Sequence, residues 1–162
     1  YAIAIKDKSS RVRLAVVKNI TRMKEGESKG FFELFVNDPD EKVKTMAIKG
    51  LGSHVSDEHR DILEGLLKDP DARVRALAVT YLGIYYNKES VKKAMALWSD
   101  ESANVRVSLL EMLSIVQPVG ALTVVKNLLS DKDEDVKKAA QKALGKIMPA
   151  RKKEGSHGKS NK

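Results

Sequence analysis

The chain contains no cysteine, which excludes a disulfide framework, a thiolate metal site and a cysteine nucleophile. Aromatic residues make up only 5% of its 162 residues, so the core has to be aliphatic. No apolar run approaches the roughly 18 residues of a membrane-spanning helix. No signal pattern of basic start, apolar core and small-residue cleavage site is present. No stretch alternates with period two for long enough to form a strand, which leaves an all-α class. The histidines are His54, His59 and His157, and only Glu58-His59 gives one of them an acidic neighbour in sequence. They read as solvated loop side chains, not as metal ligands or catalytic groups. No Ser/His/Asp set and no carboxylate pair stands outside the turns. The expectation is therefore a protein without catalytic residues, cofactor or metal.

What the chain does have is a repeat. Asp stands at 7, 38, 69, 100 and 131, and Val at 12, 43, 74, 105 and 136, every step being 31 residues. Each Val is followed by a base: Arg13, Lys44, Arg75, Arg106 and Lys137. A fixed period of this size marks a solenoid, in which a single unit cannot bury its apolar face and stacking completes the core. Each period holds two helical patterns separated by the Asp turn. In the third unit Ile62, Leu63, Leu66 and Leu67 form one helix face, with Ser56-Asp57-Glu58 as its start signal. Asp69-Pro70-Asp71 then turns the chain, and Asp71 is placed to cap a second helix carrying Val74, Leu77, Ala78, Tyr81, Leu82 and Tyr85 on one stripe.

Superposing the units separates frame from surface. Four residues after the key valine stand Val16, Ala47, Ala78, Leu109 and Ala140; eight after it, Ile20, Leu51, Leu82, Leu113 and Leu144. Nine after it the residue is always small: Thr21, Gly52, Gly83, Ser114 and Gly145, which predicts a close approach to the neighbouring helix. Trp98 shares its register with Val36, Leu67 and Leu129 and is expected in the core. Tyr81, whose register mates Asn19, Gly50, Met112 and Ala143 vary, reads equally as surface or as satellite of the core. The last unit has Gln141 where the others have Val17, Ile48, Val79 and Leu110, and adds Lys138, Lys142 and Lys146, as a polar terminal cap requires.

The Asp-Pro-Asp-x-x-Val-Arg stretch with a following Ala-x-x-x-Leu-Gly resembles the HEAT repeat. It is similar to the short HEAT-like form found in phycobilisome-lyase-type proteins. The resemblance covers residues 7–148 and implies a right-handed α-solenoid of about five helix–turn–helix units. It also implies that the Asp-to-base pairs form a ladder between neighbouring units and that the second helices line a concave face. HEAT-like di-iron enzymes carry repeated His-Glu dipeptides, and this sequence has none. The expected domains are a solenoid over 1–148, with its first unit incomplete, and a basic, disordered tail over 149–162. Tyr1 aligns with the middle of a unit, which suggests preceding sequence. The compartment expected is cytoplasmic, with any targeting or membrane segment upstream.

The net charge is +8, of which half belongs to residues 149–162 and half to residues 1–55, while 56–148 is neutral. Positions one before and six after the key valine vary between units. They are Arg11, Lys42, Arg73, Asn104 and Asp135, and Lys18, Lys49, Thr80, Glu111 and Lys142. With Arg22 and Tyr81 they give the candidate partner-binding set: Arg11, Lys18, Arg22, Lys42, Lys49, Arg73, Thr80, Tyr81 and Glu111. The leading expectation is a non-enzymatic scaffold, a monomer or weak oligomer without membrane insertion, holding another protein, such as an acidic segment, on the concave face. The alternatives are a phosphate-backbone interface for nucleic acid on the basic half and, from the lyase resemblance, a subunit of a lyase-type enzyme.

Overall fold

Each unit is built around its turn aspartate. In all five turns the Asp Oδ1 accepts the amide two residues on: Ser9, Asp40, Asp71, Ser102 and Asp133 donate over 2.7–2.9 Å. This side-chain turn lets proline follow Asp38 and Asp69, because the amide that proline lacks is not the one used. In three units a second aspartate then caps the next helix. Asp40 accepts from the Lys42 and Val43 amides, Asp71 from Arg73, and Asp133 from Asp135 and Val136.

The computed structural model describes residues 2–23, 30–53, 57–84 and 88–148. In chain order the elements are α1 (Ala2–Ile5), α2 (Ser10–Ile20), a 3-10 helix Phe32–Leu34, α3 (Glu41–Leu51), α4 (Asp57–Leu66), α5 (Ala72–Ile84), α6 (Lys88–Met95), a 3-10 helix Ala96–Ser99, α7 (Ala103–Val116), α8 (Ala121–Leu128) and α9 (Glu134–Ile147). There is no strand among the described residues. The second helices α2, α3, α5, α7 and α9 pack on one another in series, and each later one also packs on the first helix of its own unit. This is an all-α solenoid. In the second unit the described part of the first element is a 3-10 turn, with Gly30 at a φ of 80° before it.

The core is one continuous, mainly aliphatic cluster running from Val16 to Ala143, with Phe32 and Phe35 as its largest members. The residues four after each key valine are all buried, as are Ile20, Leu51, Leu82 and Leu113. Leu144, in the last unit, is half-buried, and Gln141 is exposed. Two expectations fail. Trp98 is 43% exposed, whereas Val36 and Leu67 at the same register are buried. The 3-10 helix Ala96–Ser99 winds tighter than an α-helix and turns position 98 outward, with Leu97 facing in. His59 is not a solvated loop residue. It lies on α4 and is 3% exposed, because with Leu63 and Leu66 it forms that helix's buried stripe. Its Nε2 stands 3.5 Å from Oε1 of Glu33 in the preceding unit. His54, His157, Ser56, Tyr85, Tyr86 and the tail 149–162 lie outside the described residues.

The repeated base forms a ladder. Arg13 Nε and Nη2 donate to Asp38 over 2.7 and 2.9 Å, Arg75 to Asp100 over 2.8 Å twice, and Arg106 to Asp131 over 2.8 and 2.7 Å. Nη1 of each arginine donates to carbonyls of its own turn: Asp7 and Lys8, Asp69 and Pro70, Asp100 and Glu101. One guanidinium thus fastens its own turn to the next. The second unit offers lysine instead, and Lys44 Nζ reaches Asp69 only at 3.7 Å. A single ammonium cannot span the two carboxylate oxygens and two carbonyls that the planar fork serves.

Burial alone would raise the Asp38 and Asp100 carboxyls, but the hydrogen bonds from Arg13 and Arg75 and from the turn amides outweigh it and hold both below the usual range. For Asp131 the bond from Arg106 is the largest influence, and it too is lowered.

The frame leads to four predictions. Asp100→Asn strands the buried Arg75 charge and should cost about 3 kcal/mol in urea unfolding. Lys44→Arg completes the weak rung and should add about 1 kcal/mol. Because the folded-state carboxyl values lie below the ordinary value of about 3.9, the ladder's stabilisation is complete above that value. It is lost as pH falls through the lower folded values. Thermal midpoints should therefore fall below about pH 4, and less steeply in Asp100→Asn/Asp131→Asn. The fourth concerns the glycines at the ninth position. A Cβ on Gly52 would enter the Tyr81 ring, and one on Gly83 would lie 2.5 Å from Met112 Cγ. One on Gly145 meets nothing among the described residues. Gly52→Ala should destabilise most, Gly83→Ala less because methionine is flexible, and Gly145→Ala should stabilise by up to about 1 kcal/mol through helix propensity.

Candidate functional site

The helical period of the second helices sends positions one before, six after and ten after the key valine to the same exposed side. Stacked at one helix per unit, they become three rows across the solenoid. The first row is Arg11, Lys42, Arg73, Asn104 and Asp135, the middle row Lys18, Lys49, Thr80, Glu111 and Lys142. The third is Arg22, Ser53, Ile84, Ile115 and Lys146. All are exposed. Eight of the nine predicted residues lie in these rows, and the structure brings them onto one continuous face.

Their circumstances differ. Arg11, Lys18, Arg22, Lys42 and Lys49 are exposed, and none of their side chains makes an ion pair among the described residues. Arg73 is paired with Glu41 of the preceding unit, so its charge is answered within the solenoid; the hydrogen bond it donates to Glu41 raises the arginine above its ordinary value. Thr80 donates its hydroxyl to Ala76 O over 3.0 Å. Glu111 is the one acid of the middle row. Tyr81 is half-buried against Gly52, and that burial raises its phenol. It is a wedge between α3 and α5.

From α3 onward, the residue seven after the key valine sets how deep the furrow between second helices is. Tyr81 fills the furrow over Gly52, and Met112 partly fills the next one over Gly83. Ala143 leaves the last furrow open. Two hollows result. One of about 240 Å³ between α5 and α7 is lined by Thr80, Gly83, Ile84, Met112, Ile115 and Val116, among others. One of about 380 Å³ between α7 and α9 is lined by Leu110, Ser114, Ile115, Lys138, Lys142 and Lys146, among others. Glu111 and Ile115 border both. Ile84 is 63% and Ile115 75% exposed, so the centre of the face is apolar. The sequence reading missed these two residues. The signal was there: two isoleucines in a row otherwise made of Arg, Ser and Lys.

A third, shallow hollow lies in the other layer, between the Phe32–Leu34 turn and α4, and is lined by Glu33, Asn37, Ile62, Lys68 and Asp69, among others. Among the described residues no three His, Asp or Glu side chains converge as a metal site, and no helix is long and apolar enough to cross a membrane.

Comparison with known proteins gives the same architecture. A family model described as HEAT repeats matches residues 28–114, and a HEAT repeat model matches 121–150. No curated protein matches. Among solved structures, a chain of the complex of CpcE and CpcF of phycocyanin lyase from Nostoc sp. PCC7120 aligns at a TM-score of 0.70 and 15% identity, over 90% of this chain and 63% of that one. The present chain therefore spans less than two thirds of that lyase chain. A designed armadillo repeat protein in complex with the peptide (KR)4 aligns at a TM-score of 0.57 and 21% identity, over 89% of this chain and 79% of that one. An engineered protein aligns at 0.54 and 17%, over 89% and 76%. At these identities the structural likeness is one of fold. The family matches cover more than half of the sequence, and the chain belongs to the HEAT-repeat family.

Proposed function

We propose that this chain is a non-enzymatic interaction scaffold that holds an acidic segment of a partner protein on the face lined by its second helices. The observation that carries this reading is the group Arg11, Lys18, Arg22, Lys42 and Lys49. These are five exposed cations on one face, without ion-pair partners among the described residues, while the turn cations Arg13, Lys44, Arg75 and Arg106 are all consumed by the ladder. A solenoid offers such a face without further elaboration. The designed armadillo relative is in complex with a basic peptide; the cations here call for a partner of the opposite sign. An enzymatic role by analogy with the lyase complex would require a reactive group, and the exposed rows offer chiefly lysine, arginine, threonine, serine and isoleucine.

Nucleic acid is the competing partner for the same cations. A phosphate backbone needs a long, uniformly basic track, and here the track is interrupted by Ile84, Glu111 and Ile115. Fluorescence anisotropy with a glutamate-rich 12-residue peptide and with a labelled DNA duplex separates the two. The expected result is peptide binding that Lys18→Glu/Lys49→Glu weakens roughly tenfold, with only weak duplex binding. Tight duplex binding that falls about a thousandfold between 50 and 200 mM salt would replace this reading with the nucleic-acid one.

A further inference from the structure

The two hollows are not part of the cationic patch, and they make a more specific demand on the partner. Resting on the scaffold reading above, we infer that the face recognises an extended linear segment that runs across the helices. This segment carries two apolar side chains three residues apart, one for each hollow, with acidic residues on both sides of the pair.

The spacing follows from the geometry of stacked helices. Packed helices lie about 8–10 Å apart, so the α5–α7 and α7–α9 furrows are separated by about that distance. A segment extended as a polyproline II helix advances about 3.1 Å per residue and returns to the same side every three residues, so side chains in adjacent furrows belong to residues i and i+3; a flat β-strand would turn those two to opposite sides. A helical segment advances only about 1.5 Å per residue and would need i and i+7.

The apolar anchors are dictated by the lining. Ile84, Met112, Ile115 and Val116 offer the first hollow, and Leu110, Ile115 and the small Ala139 and Ala143 the second. The flanks are dictated by charge. Lys138, Lys142 and Lys146 border the second hollow directly, so an acid belongs within about two residues of that anchor. Lys49, Lys18 and Arg22 lie between one and three helices beyond the first hollow, so acids belong about four to eight residues out on that side. The third row carries the same order in its own side chains: Arg22, Ser53, Ile84, Ile115, Lys146.

Two other occupants fit poorly. Residues 149–162 of this chain hold five bases and one acid, the wrong sign for lysine-rimmed hollows. The same face of a second copy would set Lys138, Lys142 and Lys146 against like charges.

The test uses fluorescein-labelled 16-residue peptides of one composition, glutamate-flanked, with two leucines at i,i+3, at i,i+5 or at i,i+7. The i,i+3 peptide should bind roughly tenfold more tightly than the others and keep its affinity when a proline is placed between the leucines. Ile84→Glu/Ile115→Glu should erase that preference while leaving residual charge-driven binding. Ala143→Met should do the same for one anchor, by filling its furrow as Met112 fills the previous one. Circular dichroism confirms that each variant folds. Equal binding at all spacings would overturn the inference and leave the acidic-partner reading standing. Preference for i,i+7, lost on adding proline, would overturn it in favour of a docked helix. Sedimentation showing a dimer that Ile84→Glu/Ile115→Glu dissolves would overturn it in favour of a second copy. Failure of every peptide to bind would remove both readings.

Discussion

The forked hydrogen bond from one unit's arginine to the next unit's aspartate is the interaction on which the solenoid depends. Apolar burial explains why units stack, but it is non-directional and would tolerate a range of offsets. The guanidinium is not tolerant: its five donors lie in one plane and fit a carboxylate in one orientation. Since the same group also holds two carbonyls of its own turn, the relative placement of neighbouring turns is set to within a hydrogen bond's length. The carboxylate in turn is anchored by the amide two residues on. The whole chain of contacts runs turn, arginine, turn, arginine, and its one irregular link is the lysine at 44.

The division between frame and face was legible because the repeat supplies its own comparison. Five copies in unbroken register show which positions hold aliphatic, small or charged residues, so Arg75 could be separated from Arg73 without any relative. In the structure Arg75 is buried between two turns, whereas Arg73 is exposed and Glu41 takes up its charge. Register could not show where local geometry departs from the average. Trp98 keeps its register yet turns outward, because the helix carrying it closes as a 3-10 turn. His59 seemed isolated because a sequence reading looks for partners nearby, and its neighbour Glu33 is in another unit. Ile84 and Ile115 were passed over because aliphatic residues in a helix are assigned to the core by default. Their exposure, together with a row otherwise made of Arg, Ser and Lys, shows that they belong to the surface.

Tyr81 shows how tertiary context decides what a variable position means. Variation between Asn19, Gly50, Tyr81, Met112 and Ala143 looked like the mark of a contact surface. In the folded chain Tyr81, Met112 and Ala143 lie at the furrow toward the preceding second helix, so there the size of the residue is read as depth and not as chemistry. The glycine at the ninth position is the other half of that arrangement: it yields the room that the tyrosine or methionine occupies.

That pairing has a consequence for how such a chain diverges. The furrow-setting side chain touches neither the ladder nor the caps, and it faces a residue without a bulky side chain of its own. A single substitution there can deepen or close one recess while its neighbours stay as they are. Specificity is thus inherited unit by unit, as a set of nearly independent traits on a frame that does not have to be renegotiated each time one of them changes.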